Sequence, residues 1–391
     1  MSENKTSTVK EPAILQIVPT LNAGGAERST VEIAAALARE GFTPLAASEG
    51  GRMVAELEAA GGEWIRMPVN TKSPLSLYAN ARRLAQIIQE RNIRLVHARS
   101  RAPAWSALWA TRRTGTPFLT TWHGAYSGEN ALKRYYNSVM LRGDAVIANS
   151  QWTADHIQSV YSVRPKKLVV IPRGIDPAAY DPANVSPDRI ARLRAQWNAR
   201  RDEIVILFPG RLSRRKGQLV LIESLAQISG EFKNLRAVIA GEAARHDDYA
   251  AEIERTIERR ALTKAVTIAG HVQDMPAAYL ASDIVVFTTI EPEGFGRVAA
   301  EAAAMERPVI ASDLGGTREI VVPGVSGFLV PPGDVGELVD ALRRLLVAGV
   351  GGRAAMGARG RAYVLANFTL ARMTGDTVAL YRELLAQHSL G

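Results

Sequence analysis

The sequence predicts an α/β protein built from two doubly wound, Rossmann-like domains. Two series of short apolar runs carry this prediction, because in each series the runs alternate with segments of helical periodicity. Alternating strands and helices are typical of parallel sheets covered by helices on both faces. At 391 residues, the chain is long enough for two domains that each bury their own core.

The first series begins with a strand at 13–18 and a helix at 26–40. Its later strands are predicted at 94–98, 117–121, 144–148 and 167–171. A segment rich in Pro and Asp follows, up to residue 188, and indicates a linker. The second series has strands at 203–208, 235–240, 265–269, 283–288 and 308–312. A helix is predicted from 335 to 347, followed by a glycine-rich break at 349–352 and two more helical stretches. The domain boundary is therefore predicted between residues 180 and 181.

Composition excludes several classes of site. Cys is absent, so the chain has no disulfide, thiolate nucleophile or Cys-based zinc site, which fits a reducing compartment. The N-terminus lacks the apolar stretch of a signal peptide, and no run of about 18 apolar residues occurs. We therefore expect a cytoplasmic protein without a membrane span.

The positive charge is concentrated in the first half of the chain. Residues 1–180 contain 22 Lys and Arg against 14 Asp and Glu, whereas the whole chain has a net charge of +9. One cluster comprises Arg82, Arg83, Arg91, Arg94, Arg99 and Arg101, and another is a basic segment at 131–142 that contains Tyr135, Tyr136 and Met140. Such surfaces attract nucleic acid, an anionic bilayer or a phosphorylated substrate, although solvated helix faces explain each cluster equally well.

The segment 291–327 has the pattern of an anion site. A loop broken by Pro and Gly leads into an Ala-rich helix, a buried-type strand follows, and Gly315 and Gly316 open a second short helix. Exposed backbone amides and the helix dipole favour an anion at such helix starts, and glycines allow a ligand to approach the backbone. We expect the two helix starts to lie at one crevice that accepts a diphosphate.

Two glutamates, Glu293 and Glu301, flank the first of these helix starts. A carboxylate only accepts hydrogen bonds, so beside a phosphate site it suits sugar hydroxyls. The simpler alternative is that Glu293 interacts with the helix dipole and that Glu301 is a solvated helix residue. The alanines around Glu301 favour a placed side chain, because small residues let a helix pack closely against a sheet.

The motifs EPEGFG with the E-x7-E spacing, SDLGGTREIV and GFLVPPGD resemble those of the retaining glycosyltransferases of family 4, over nearly the whole chain. The resemblance implies the GT-B fold, with domains 1–180 and 181–371 facing each other across a cleft and a final helix, 372–391, packing back on the first. It implies that Glu301 binds the nucleotide ribose. It also implies that Glu293 and the amides of Gly294, Phe295 and Gly296 hold the donor sugar.

A second basic motif, FPGRLSRRKGQ, follows a predicted strand and places Arg211 and Lys216 near the expected cleft. An Arg guanidinium can donate two hydrogen bonds to phosphate oxygens, and a Lys ammonium adds a point charge, so together they can neutralise a departing diphosphate. The alternative is a surface charge run, and we expect Arg214 and Arg215 to face solvent. The family's R-x4-K pattern singles out Arg211 and Lys216.

Further site residues follow from the resemblance. His123 matches a histidine near the donor sugar, Gly24 and Gly25 match glycines beside the diphosphate and acceptor, and Val272 lies where relatives meet the nucleobase. Each has a simpler explanation: a structural histidine, a plain turn, or a turn without ligand. No G-x-G-x-x-G or P-loop motif occurs, so no dinucleotide cofactor is indicated.

The resemblance implies a retaining enzyme. We expect it to use neither metal nor cofactor, since no Asp-x-Asp and no clustered His ligands occur. It would move a hexosyl group from GDP-mannose or UDP-glucose to a lipopolysaccharide core or other surface glycolipid. The expected partners are a nucleotide sugar, a lipid-linked acceptor and an anionic membrane contacted by the first domain, without nucleic acid. The alternatives are a nucleotide-sugar epimerase or hydrolase of the same fold, phosphorylase-like chemistry, and a non-catalytic module that binds sugar or nucleic acid.

Overall fold

The structure, a computed structural model, describes residues 12–22, 24–126, 128–243 and 248–389. The chain divides into two units. Unit 1 comprises the chain up to Ile171 together with the C-terminal segment from Arg372, and unit 2 comprises Pro172–Ala371. The boundary predicted at residue 180 lies in the same connection, between the last strand of unit 1 and the first helix of unit 2.

Unit 1 contains one parallel sheet. Its strands are β1 (Ala13–Ile17), β2 (Thr43–Ser48), β3 (Glu63–Arg66), β4 (Ile93–Ala98), β5 (Phe118–Trp122), β6 (Ala145–Ala148) and β7 (Leu168–Val170), in the order β3-β2-β1-β4-β5-β6-β7. The helices are α1 (Gly25–Arg39), α2 (Val54–Ala59), α3 (Pro74–Glu90), α4 (Arg101–Thr114), α5 (Ala131–Asn137) and α6 (Gln151–Val160).

Unit 2 contains a second parallel sheet. Its strands are β8 (Ile204–Pro209), β9 (Leu235–Ala240), β10 (Val266–Gly270), β11 (Ile284–Phe287), β12 (Val309–Ser312) and β13 (Gly327–Val330), in the order β10-β9-β8-β11-β12-β13. The helices are α7 (Pro187–Gln196), α8 (Gln218–Ile228), α9 (Tyr249–Arg259), α10 (Met275–Leu280), α11 (Arg297–Ala304), α12 (Thr317–Ile320), α13 (Val335–Val347) and α14 (Gly349–Asn367). A last helix, α15 (Leu370–Ser389), passes from unit 2 into unit 1.

The burial of the central strands explains why apolar runs in the sequence predicted their positions. The side chains of Ile14, Leu15 and Ile17 are all fully buried, because both faces of a parallel sheet are covered by helices. The predicted fold class, two doubly wound α/β halves, is therefore confirmed. Three strands escaped prediction: β2 is rich in small residues, β3 has only four residues, and β13 begins at Gly327.

The glycine-rich break predicted at 349–352 is wrong, because these residues form the first turn of α14. One glycine of this helix, Gly357, serves close packing. A Cβ added at Gly357 would overlap the carbonyl oxygen of Glu306, just after α11, so the helix approaches that turn through a residue without a side chain.

Two expected basic surfaces also differ in detail. Arg99 is buried, so it does not belong to an exposed cluster. In the segment 131–142, α5 ends at Asn137 and a buried 3₁₀ turn, Ser138–Leu141, follows, so Met140 does not reach the surface.

The strand order of each sheet reverses direction at one point. In unit 1 this switch point lies between β1 and β4, and in unit 2 it lies between β8 and β11. Ligands of open α/β sheets bind outside the carboxyl ends of the strands at this point.

Across the described part of the chain, no helix is both long and apolar enough to cross a membrane.

Candidate functional site

The loop after β8 brings its basic residues to the end of β11. After a short 3₁₀ turn, Arg214–Lys216, the chain turns through Gly217, whose φ of 80° is left-handed and suits glycine. A Cβ at Gly217 would overlap the carbonyl oxygen of Thr288, directly after β11. The amide of Ile290 donates to the carbonyl of Arg215 at 2.9 Å. The two loops are therefore joined at the switch point of unit 2.

An ion cluster forms where these loops meet. The Nζ of Lys216 lies 2.7 Å from the Oε1 of Glu293, and the Nη2 of Arg215 lies 2.5 Å from the same oxygen. The Lys216 ammonium also lies 4.8 Å from the centre of the Phe287 ring. Burial acts to raise the pKa of Glu293, but the charges and hydrogen bonds of Lys216 and Arg215 outweigh it, so this pKa is lowered. Glu293 is therefore a carboxylate at neutral pH.

The arginines of this loop are not equivalent. Arg215, expected to face solvent, instead contacts Glu293, because the joint between the two loops turns it towards β11. Arg214 is exposed, as expected, and pairs with Glu252. Arg211 is exposed and has no ion-pair partner among the described residues, while its carbonyl accepts a hydrogen bond from Gln218 at 2.9 Å. Its guanidinium is available to a ligand.

The two glycine-rich loops of the segment 291–327 touch each other. The amide of Gly316 donates to the carbonyl of Glu293 at 2.8 Å. Added Cβ atoms would overlap the Glu293 carbonyl at Gly315, the Gly294 carbonyl at Gly316, and Thr317 at Gly296. The first residues of α11 and α12 therefore lie side by side because glycines occupy these positions.

In the predicted sugar-binding loop, the groups expected to bind a ligand are backbone amides rather than side chains. Gly294, Phe295 and Gly296 are buried, and the ring of Phe295 packs edge-on against Phe368 with 5.6 Å between ring centres. Contact between their amides and a donor sugar remains a prediction.

Glu301 forms a second polar cluster on α11. Its side chain is buried, with a relative exposure of 7%, so it is not a solvated helix residue. Its carboxylate accepts hydrogen bonds from the Oη of Tyr279 at 2.9 Å and the Nε of Arg297 at 2.6 Å. Burial, followed by the charge of Glu301, raises the pKa of Tyr279 well above its usual range and that of Tyr180 likewise. Both phenols are therefore protonated at neutral pH.

Four residues of these clusters are not predicted by the sequence: Arg215, Arg297, Tyr279 and Tyr180. Arg297 has a readable signal, because it precedes Glu301 by four residues on one helix and such pairs face each other. Tyr279 lies on α10, 22 residues before Glu301, and no local pattern joins the two.

The predicted site residues of unit 1 lie at strand ends. Gly24 has a φ of 135°, precedes the first residue of α1, Gly25, and accepts a hydrogen bond from the amide of Arg28 at 3.0 Å. His123 follows β5, is half-buried, and its carbonyl accepts a hydrogen bond from Asn149 at 3.3 Å.

A buried polar network lies behind this edge of unit 1. The Nδ1 of His97 lies 2.6 Å from the Oη of Tyr381 on α15, and its Nε2 lies 2.7 Å from the Oγ1 of Thr121. Arg99 donates two hydrogen bonds to the Oε1 of Gln16, at 3.0 and 2.6 Å. Burial, and then the charges of Arg99 and His123, hold the pKa of His97 well below its usual range. The imidazole is therefore neutral at physiological pH.

The last predicted residue, Val272, follows β10 and packs against the core of unit 2.

No group of three or more His, Asp or Glu side chains that could hold a metal ion occurs within residues 12–22, 24–126, 128–243 and 248–389.

Known proteins share this architecture and these motifs. The family model "Glycosyltransferase Family 4" matches residues 23–179, and the model "Glycosyl transferases group 1" matches residues 189–363. A glycosyltransferase crystal structure from Rickettsia africae superimposes with a TM-score of 0.89 at 35% identity, covering 96% of this chain and 99% of that one. The Anabaena protein HepE, solved in complex with UDP-glucose, gives a TM-score of 0.83 at 26% identity over 95% and 99% of the two chains.

Among curated sequences, a GDP-mannose-dependent monoacylated alpha-(1-6)-phosphatidylinositol monomannoside mannosyltransferase of Corynebacterium glutamicum is 30% identical over 78% of this chain and 80% of its own length. Against the D-inositol 3-phosphate glycosyltransferase of Segniliparus rotundus the match spans 58% of that protein. The two doubly wound halves, taken with these solved structures and relatives, identify a GT-B glycosyltransferase. The chain belongs to glycosyltransferase family 4.

Proposed function

We propose that this protein is a retaining glycosyltransferase that moves a hexosyl group from a nucleotide-diphosphate sugar to a surface glycolipid. The observation that carries the proposal is the ion cluster of Lys216, Arg215 and Glu293 beside the first residues of α11 and α12. It combines cations for a diphosphate with a carboxylate for sugar hydroxyls at the switch point of a doubly wound sheet.

The donor diphosphate is assigned to the cations of unit 2. Arg211 is free of ion pairs among the described residues and Lys216 is mostly buried, so an incoming phosphate would meet one available guanidinium and one poorly hydrated ammonium. Arg215 adds a third cation that the motif alone did not reveal. In this proposal these groups take the role that a divalent ion has in other transferases, and the amides of Gly294, Phe295 and Gly296 hold the donor sugar.

The sugar and ribose are assigned to the two carboxylates. Glu293, kept ionised by its cations, accepts hydrogen bonds from the sugar hydroxyls, and Glu301, with protonated Tyr279 beside it, accepts from the ribose. Val272 is assigned to the nucleobase. His123 is assigned to the donor sugar, and Gly24 and Gly25 to the diphosphate and acceptor.

The reaction would proceed on one face of the sugar. The bond between the anomeric carbon and the diphosphate oxygen breaks, the acceptor hydroxyl oxygen bonds to the same face, and its proton passes to the departing phosphate. Lys216 and Arg211 would stabilise the charge that grows on the leaving diphosphate. No covalent sugar intermediate and no protein nucleophile are required.

Two candidate donors and one acceptor class have support. The Corynebacterium relative is named as GDP-mannose-dependent, and HepE was solved with UDP-glucose, so both donors are proposed. The same Corynebacterium enzyme is named for a phosphatidylinositol mannoside, which supports a lipid-linked acceptor, of lipopolysaccharide-core type or another surface glycolipid. The basic first half of the chain suits such an anionic acceptor, and the proposed location is the cytoplasm.

The experiment is a transfer assay with labelled GDP-mannose and UDP-glucose and a bacterial lipid extract, with and without EDTA. We expect label in the lipid fraction from one donor, undiminished by EDTA. Release of free sugar at an equal rate without lipid would instead indicate a hydrolase. Loss of transfer in EDTA would refute the metal-independent part of the proposal.

The two carboxylates provide a matched pair of variants. Glu301→Gln removes the charge that accepts the ribose hydroxyls, so the donor KM should rise about tenfold, the worth of one charge-assisted hydrogen bond. Glu293→Gln should mainly lower kcat. Equal effects of both variants on kcat and KM would contradict the separate roles.

A further inference from the structure

The outer faces of α3 and α4 in unit 1 expose large apolar side chains beside arginines. On α3, Leu75, Tyr78 and Arg82 are spaced by three and four residues, so they share one face. On α4, Trp109 is followed by Arg112 and Arg113 at the same spacing. The relative exposure of Leu75 is 83% and that of Trp109 is 38%. We name these six residues the α3–α4 surface.

A groove runs along this surface. Its volume is about 450 Å³, and it is lined by Pro74, Tyr78, Ala81, Arg82, Trp109 and Arg113. Its floor is apolar, and arginines from both helices stand at its edge. The groove can therefore contact acyl chains through its apolar floor and charged head groups through its arginines, within one small area.

The arginines of the surface are electrostatically unbalanced. Arg82, Arg112 and Arg113 are exposed, and none has an ion-pair partner within the described residues. Arg91, at the far end of α3, is paired with Glu63. The sequence explains this imbalance, because residues 64–128 contain ten Lys and Arg but only one acidic residue, Glu90.

Aromatic side chains extend the surface towards α5. The ring of Trp109 lies 6.0 Å from that of Trp105, which lies 5.5 Å from that of Tyr135. The Arg142 guanidinium lies 5.3 Å from the Tyr135 ring centre, and exposed Leu132 lies on the same short helix. The buried ring of Trp105 therefore connects the groove to a second exposed apolar site on α5, at Leu132 and Tyr135.

We propose that the α3–α4 surface docks onto an anionic lipid bilayer. Trp and Tyr rings favour the interface between head groups and acyl chains, an exposed leucine gains by leaving water, and arginines bind lipid phosphates. A second copy of the chain is a poorer occupant, because two such faces would oppose their unpaired arginines. The inference concerns binding alone, so it stands or falls separately from the proposed transfer reaction.

The test is flotation of the full-length protein with vesicles of phosphatidylcholine, with and without added phosphatidylglycerol. We expect flotation only with the anionic vesicles. Each basic residue near such a surface strengthens binding about fivefold. The double variant Arg82→Gln/Arg113→Gln should therefore weaken binding about thirtyfold, which corresponds to about 2 kcal/mol.

A matched control removes the same charge elsewhere. Arg201 and Arg255 in unit 2 are also exposed and, among described residues, without ion pairs, so Arg201→Gln/Arg255→Gln should change vesicle binding less than threefold. A third variant, Leu75→Ser/Trp109→Ser, keeps every charge and should also lose binding. Equal losses in the control and test pairs would show an effect of net charge alone and overturn the proposal. Failure of the wild-type protein to float with anionic vesicles would overturn it as well.

Discussion

The two sheets share a strand order but hold different chemistry at their switch points. In unit 2, Lys216, Arg215 and Glu293 form a charged cluster on loops beyond the strand ends. In unit 1, the corresponding polar groups, such as His97 and Gln16, lie on the strands themselves and are fully buried. The first arrangement has side chains at the edge of the sheet, whereas the second is enclosed by it.

This difference separates a ligand site from a structural joint. Loop cations held by one carboxylate can exchange part of that contact for an incoming anion at modest cost, because the anion replaces the carboxylate as their partner. A fully buried network cannot, because each buried group that loses its partner incurs a desolvation penalty. The network of unit 1 instead connects β4 and β5 to α15 through Tyr381. The comparison predicts large functional effects at the ion cluster of unit 2 and structural effects in the buried network of unit 1.

The largest expected effect is on turnover. Lys216→Ala removes a mostly buried ammonium from the proposed leaving-group site, and loss of one such stabilising group typically lowers kcat by about 10² to 10³-fold. Arg211→Ala should have an effect of similar size. Steady-state kinetics with the identified donor would measure both.

The control for this prediction lies in the same loop. Arg214 is exposed and paired with Glu252, away from Glu293, so Arg214→Ala should change kcat less than about threefold. Turnover near the wild-type rate in a folded Lys216→Ala/Arg211→Ala variant would remove the distinction between the two switch points.

The sequence alone predicted the fold class and most of the strands, because the central strands are buried on both faces and their residues are mostly apolar, as in 14–17. The glycine-rich loops were also readable, since close backbone contact at Gly315 and Gly316 requires glycine. The side chains that contact Glu293 and Glu301 could not all be predicted in this way. Arg215 differs from Arg214 only in the direction that the turn before Gly217 gives it. Tyr279 contacts Glu301 only because the fold brings the ends of their side chains within hydrogen-bond distance. Such contacts depend on tertiary geometry that no local pattern encodes.

The second prediction concerns the structural joint. Tyr381→Phe deletes the hydroxyl that pairs with His97 and leaves a buried imidazole nitrogen without that partner, which should lower the free energy of unfolding by about 1 to 3 kcal/mol. Denaturant unfolding would measure this change. The control Tyr363→Phe removes a half-buried hydroxyl that donates to the Glu319 carbonyl at 3.0 Å, and it should cost less. Equal losses in both variants would argue against a special role for the His97 network.

The smallest expected effect is a pH dependence of stability. Burial, with Arg99 and His123 nearby, depresses the pKa of His97 in the folded protein, whereas the unfolded chain has the ordinary value of about 6.5. The unfolded chain therefore binds a proton first on acidification, so this contribution is complete above pH 6.5 and is lost as the pH falls towards the folded value. One proton can cost at most about 1.4 kcal/mol per pH unit. Between pH 6.5 and 5.5, wild-type protein should lose more unfolding free energy than His97→Gln. Parallel losses would mean that the imidazole is already charged in the folded state, in which case the switch point of unit 1 would resemble that of unit 2.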